Sequence, residues 1–435
     1  MTLALIICLF TGACVFLSVL IKPELRVGKL VLGTYWLLSL LGALLLVVTR
    51  SLPLSHLWEG LTAESAVNPL KILVLFLSMT ALSVFLDEIG FFRYLAGAVL
   101  SKAGGSQRVL FFSLFVTVSL LTVFTSNDIV VLTFTPFICC FARNAKINPV
   151  PYLVAEFVAS NTWSMALIIG NPTNIYIASL AGIDFLSYAK VMIVPTVFAG
   201  VTALFILYLL FRRLLNKPIE RASNTEKIED KAALVMGLAH LGVCTLLLAV
   251  GSYIGLDMWL ISLICALSLS VGYLLLSLVR KKAPVKLFST VKRLPYELIP
   301  FMLSMFTVVL SLDYYGLTDK LALLLGERGS IYSYGAFSFL SANFINNIPM
   351  SVLFSSVLES GVLSGGAYLG GVYAAVVGSN LGAYLTPVGA LAGIMWASIL
   401  KKEGVSFSFL RFIKYGVVIS VPTLFLSLFL LSFFV

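Results

Sequence analysis

Apolar runs of roughly 20 residues recur along this chain from one end to the other, and that recurrence limits the fold more than any other feature. A run of that length crosses a bilayer as a helix, with every backbone N–H and C=O satisfied inside the segment. The runs lie near 3–21, 29–49, 70–86, 109–124 with 129–142, 151–181, 188–211, 232–254, 256–279, 296–312, 331–345 with 348–359, 367–400 and 412–435. Only 11% of residues are charged, less than half the share in a soluble domain. The chain therefore reads as an all-α polytopic membrane protein. A β-barrel would need short alternating segments instead. The run at 3–21 lacks the basic start of a secretory signal and is expected to be retained as a helix.

The basic residues give the orientation. Suppose that the N-terminus is outside and that 109–142 and 331–359 each enter and leave the membrane by the same face. Then 24 of the 29 Lys and Arg fall on inner loops, leaving Arg50, Lys71, Lys190, Lys320 and Arg328 outside. Such asymmetry follows the positive-inside tendency and is lost if either paired segment crosses straight through. The expected architecture is two inverted repeats, each with three spans, a re-entrant hairpin, a broken helix and a final span. The first repeat occupies 1–215, with its hairpin at 108–142 and broken helix at 151–181. A hydrophilic cytoplasmic linker follows at 216–231. The second repeat occupies 232–435, with its hairpin at 331–359 and broken helix at 367–400. The protein is expected in the cell (inner) membrane with both termini outside. The net charge of +10 fits this loop placement and calls for no nucleic acid.

Polar groups at membrane depth mark the candidate site. The first hairpin tip, "TSNDIVVLTFTP" (125–136), carries Ser126, Asn127 and Asp128; the second, "NFINNIP" (343–349), carries Asn346 and Asn347. Each tip can begin a helix whose free N–H groups face mid-membrane. Breakers interrupt "SNTWSMALIIGNPTN" (160–174), with Asn161, Thr162, Asn171, Thr173 and Asn174, and "GSNLGAYLTPVG" (378–389), with Ser379, Asn380 and Thr386. Paired broken helices at matching places in two repeats are the usual mark of a transporter site. Read singly, each Asn or Thr equally serves to glue helices together. Asp128 stands apart, because an intramembrane carboxylate costs about 2.5–3.5 kcal/mol at a helix centre; the plainer role is a helix cap. Glu156 is expected either on a proton path or paired with a base. The six cysteines lie in apolar runs without metal spacing and are expected to be inert. No cofactor or metal is expected, only a coupling ion, H+ or Na+. His56 and His240, the only histidines, do not form a His-Glu-x-x-His motif, so no enzyme is expected and an intramembrane hydrolase is a remote alternative.

Together "TSNDIVVLTFTP", "GNPTNIYIASLAGIDF", "NNIPMSVL" and "GSNLGAYLTPVGALAGIMW" resemble the arsenite-permease (ArsB-type) branch of the ion transporter superfamily, related to sodium-coupled dicarboxylate transporters. The latter carry Ser-Asn-Thr at both tips, which this chain does not. The resemblance implies a scaffold and a mobile part, elevator-like alternation, and export of arsenite or antimonite as a neutral acid in exchange for protons. It allows a homodimer and an energising ATPase subunit. An ionised Asp128 would repel a dicarboxylate, which favours a neutral substrate. The alternative is a sodium- or proton-coupled transporter of another small anion, such as a dicarboxylate, sulfate or a silicate-like acid.

Overall fold

A computed structural model describes residues 1–22, 24–27, 30–63, 68–217, 228–251 and 254–435. Most of the expected linker, 218–227, lies outside the described residues. Among the described residues, twenty α-helices form two series of ten in the same order. The first series is α1 (Thr2–Ile21), α2 (Thr34–Val48), α3 (Leu54–Thr62), α4 (Pro69–Glu88), α5 (Phe91–Lys102), α6 (Gln107–Phe124), α7 (Asn127–Asn144), α8 (Val150–Trp163), α9 (Pro172–Leu180) and α10 (Phe185–Phe211). The second is α11 (Lys231–Gly251), α12 (Met258–Val279), α13 (Val285–Lys292), α14 (Leu298–Tyr314), α15 (Leu317–Leu325), α16 (Ser330–Ile345), α17 (Asn347–Glu359), α18 (Gly365–Gly382), α19 (Leu391–Lys402) and α20 (Phe409–Leu431). A short antiparallel ribbon, β1 (Glu24–Val27) with β2 (Leu30–Gly33), lies between α1 and α2 and, among the described residues, is the one element outside the expected all-helical reading.

Hydrogen bonds fix how the hairpins run. The Tyr152 hydroxyl near the start of α8 donates to Gln107 Oε1 at the start of α6 (2.9 Å). The end of α7 is joined to the start of α8 by only a few residues. Both open ends of the α6–α7 pair therefore lie at one face. Its tip reaches Asn161, where Asn127 donates at 3.1 Å. Asn161 is nine residues beyond Tyr152, so the tip sits about 14 Å deep at 1.5 Å per residue. The α16–α17 pair does the same from its own face. Ser330 donates to the Ala367 carbonyl (3.0 Å) and Ser364 to Glu327 (2.9 Å), so both open ends meet the start of α18.

The two faces are opposite. The broken span α18–α19 starts beside the second hairpin's open end and finishes at Glu403, which pairs with Arg143 at the end of α7 (2.9 Å). The hairpins thus enter from opposite sides and meet inside, as expected of inverted repeats.

Burial explains why interrupted backbone survives at this depth. Nearly all of α8, α9 and the second half of α18 is buried, while α10, α11, α12 and α20 expose rows of Leu, Val, Ile and Phe. Non-helical backbone is tolerated in a membrane only where protein or a wet cavity covers it. Helix α18 lies against α16 so closely that a Cβ at Gly378 would meet the Gly335 carbonyl, so only glycine allows the approach. Six helices among the described residues are each long and apolar enough to span a bilayer. Four short helices, α3, α5, α13 and α15, were not expected. Helix α15 turns 79° from α14.

Candidate functional site

The first hairpin tip opens into a cavity of about 460 Å³. Its inner wall holds Ser126 and Asp128 from the tip and Thr80 from α4. Tyr35 at the start of α2 and Glu297 just before α14 line it too. Arg293 and Lys402 also line it, from the face that carries most of the basic residues. Ser126 stands at the N-cap of α7, but its hydroxyl makes no cap bond. Ser126 Oγ and Thr80 Oγ1 are buried without a partner, as is Asn127 Oδ1. Unsatisfied buried oxygens are uncommon and costly, and they cluster here beside a carboxylate. Asp128 lies in the first turn of α7, where the free N–H end of the helix favours an anion. It lines the cavity as well, so its helix position and a ligand role are compatible.

Glu297 is the second carboxylate in this cavity. Its Oε1 accepts from the Gly33 amide and its Oε2 from the Tyr35 hydroxyl, both at 3.0 Å. Neither Thr80, Tyr35 nor Glu297 belongs to a motif, so sequence reasoning missed all three.

The broken spans place their polar residues elsewhere. Asn380 Oδ1 accepts from Ser164 Oγ (2.8 Å) and Asn171 Nδ2 (3.1 Å), and Asn380 Nδ2 donates to Asn174 Oδ1 (2.6 Å). Asn174 Nδ2 donates in turn to the freed carbonyls of Ser164 (2.8 Å) and Leu167 (3.2 Å). Asn171 caps α9 through the Thr173 amide. These residues lock one broken span to the other and satisfy backbone that the interruption exposes. Thr162 donates to the Tyr384 hydroxyl at 3.3 Å. Thr173 Oγ1 and Ser379 Oγ are buried without partners, outside the cavity.

At the second tip Asn346 adopts a left-handed φ of 73°, caps Ile348 and donates to the Val388 carbonyl (2.9 Å). The Asn347 amide donates to the Gly389 carbonyl (3.1 Å). Asn343 Oδ1 accepts both the amide and the hydroxyl of Thr386, at 2.9 and 2.8 Å. Asn346, Asn347 and Thr386 therefore stitch the tip to the break in the second span. Glu156 is fully buried and accepts from the Thr135 hydroxyl on α7 at 3.3 and 3.4 Å, not from a base among the described residues. Cys139 is buried and Cys140 is exposed on a separate cavity; neither lines the one holding Asp128.

At the basic face Arg293 pairs with Asp87 (2.7 Å) and with Glu88. Asp87 also accepts from Thr133 on α7 (2.9 Å). Burial alone would lower the Arg293 pKa, but the two carboxylates hold it above its ordinary value.

A family model described as citrate transporter matches residues 33–367. The chain is 28% identical over 367 residues to the arsenical pump membrane protein of Escherichia coli strain K12, covering 81% of this chain and 84% of the relative. It is 27% identical to the arsenical pump membrane protein of Yersinia enterocolitica, with the same coverage of 81% and 84%. Among solved structures, the Alcanivorax borkumensis YdaH transporter superposes with a TM-score of 0.55 at 15% identity, covering all of this chain and 97% of that one. That likeness is one of fold.

Proposed function

The chain belongs to the citrate transporter family, and from that premise we propose that it exports arsenite or antimonite as the undissociated acid in exchange for protons. The observation that carries this reading is the tip cavity. Asp128 sits there beside two buried hydroxyls that lack partners. Unpaired Oγ atoms suit a small solute that both donates and accepts hydrogen bonds, as a neutral trihydroxy acid does. No arginine or lysine stands on the tip itself to clamp a carboxylate; Arg293 is already paired with Asp87 and Glu88. The arsenical-pump names of the relatives agree with this choice.

In the proposed cycle Asp128 carries the coupling proton. Substrate and proton compete for the tip, so loading one releases the other. The hairpins and broken spans move together against the remaining helices, exposing the tip to each side in turn. The basic face is the cytoplasmic one under the positive-inside tendency, and the cavity opens toward it. Asn127, Asn346 and Asn347 hold the two tips in register with the broken spans.

A second reading is a sodium- or proton-coupled carrier of another small anion. It is favoured by Arg293 and Lys402, which line the cavity from the basic face. Everted vesicles separate the two. Arsenite or antimonite uptake should follow an imposed acid-inside gradient and ignore a sodium gradient. Citrate, sulfate or silicate should fail to compete. Competition by one of these anions, or response to sodium alone, would sink the first reading.

A further inference from the structure

The cavity contains a part that substrate binding does not use. Tyr35 and Glu297 line it together with Asp128, and neither belongs to the hairpin. Tyr35 lies in the first turn of α2 and Glu297 immediately precedes α14, so the pair is anchored on two helices packed together. We propose that Tyr35 and Glu297 form a stationary proton-release relay for Asp128 on the basic-face side. This rests on the reading of Asp128 as the proton-carrying group.

The chemistry follows from the bonding. Tyr35 donates its proton to Glu297 Oε2, which leaves the lone pairs of the phenol oxygen free to accept. A protonated Asp128 is a donor. Both groups line the same cavity, whose volume admits water that would carry the proton from Asp128 to that oxygen. In the transfer the Asp128 O–H bond breaks and a new O–H bond forms on Tyr35. The original Tyr35 O–H bond breaks and its proton arrives on Glu297 Oε2. Asp128 is left as the anion and Glu297 as the neutral acid. Glu297 then loses its proton to water on the basic-face side, and the Tyr35 hydroxyl turns back to donate to the carboxylate.

The other charged groups facing this path are Arg293, beside Glu297 in sequence, and Lys402 at the end of α19. Helix α4 presents only Phe76 and Thr80 to the cavity, so no titratable group from it competes. The arrangement also resists leak. Once the hairpin carries Asp128 away, Tyr35 has no proton source, and the relay is broken until the tip returns.

Two fluxes in everted vesicles distinguish a relay from a structural pin. One is antimonite uptake driven by an acid-inside gradient. The other is antimonite counterflow, which needs no net proton release. For Glu297→Gln and Tyr35→Phe, the ratio of gradient-driven flux to counterflow should fall at least about tenfold, at the low end of what a positioned acid–base group contributes. Tyr35→Phe leaves the Gly33 bond to Glu297 in place, so it tests the hydroxyl alone. An unchanged ratio in both variants, or an equal loss of both fluxes, would overturn the relay. Asp128→Asn serves as the check on the premise. If it retains a gradient response, the reading of Asp128 fails; if it loses that response while Tyr35→Phe and Glu297→Gln do not, only the relay fails.

Discussion

At the residue scale, two groups of buried polar side chains differ in how they are bonded. Asn171, Asn174 and Asn380 are saturated by one another and by freed backbone. Ser126, Thr80 and Asp128 surround open space. The first kind holds the structure, and the second is the kind that the proposed function assigns to the substrate. Asn380→Ala removes three bonds to the first broken span. At roughly 0.6 kcal/mol per interhelical bond in a membrane, the loss should be about 2 kcal/mol, visible as a lower melting temperature in detergent. Asp128→Asn should cut proton-driven export at least about tenfold with little change in melting temperature. The thiols make a contrasting case. Replacing Cys139 and Cys140 together with Ser should leave metalloid resistance intact in a growth assay, and lost transport would bring thiol ligation back. Asp128 was legible in the sequence because a carboxylate inside an apolar run is conspicuous. Thr80 and Tyr35 were not, because a single polar residue in a span has no signature until its neighbours are known.

At the element scale, the helix ends do more than the helix middles. Asp184 caps α10 by accepting from the Leu186 and Ser187 amides and the Ser187 hydroxyl. Partial burial opposes ionisation, but these donors outweigh it and hold the Asp184 pKa below its ordinary value. A depressed carboxylate stabilises the folded state above its unfolded pKa of about 3.9, and that gain is lost as pH falls through the folded value. Thermal melts between pH 6 and pH 3 should therefore show a steeper fall for the native chain than for Asp184→Asn, which keeps the cap without titrating. The spans and both hairpin tips were legible, since apolar length and N-cap residues are local signals. Helices α3, α5, α13 and α15 were not. They are short, so nothing in their length separates them from loops. Their repeated placement in the two series shows that they belong to the architecture.

At the scale of the whole molecule, the inverted design brings two hairpins and two broken spans to one interior, from opposite faces. The Thr133–Asp87 bond links the first hairpin to the end of α4 across the boundary at which the proposed motion slides. A disulfide between Thr133→Cys and Asp87→Cys should therefore stop transport, and a reductant should restore it. Full activity in the cross-linked protein would mean that this boundary stays closed during the cycle. Topology has its own test. Single cysteines placed at Lys282 and at Arg328 should label from opposite sides of sealed vesicles, the first from the cytoplasmic side. Labelling of both from one side would reject the inverted arrangement.

The sequence by itself determined that the chain lives in a bilayer, where its basic loops fall along the chain and where its backbone breaks. Those properties depend on apolar length, charge sign and breaker residues, all of which act within a few residues of themselves. Only the tertiary structure decided which polar groups face a cavity and which lock the spans together. Residues 35, 80, 128 and 297 meet there from four separate helices or their ends. No local spacing encodes that meeting; it arises from packing two inverted series against each other.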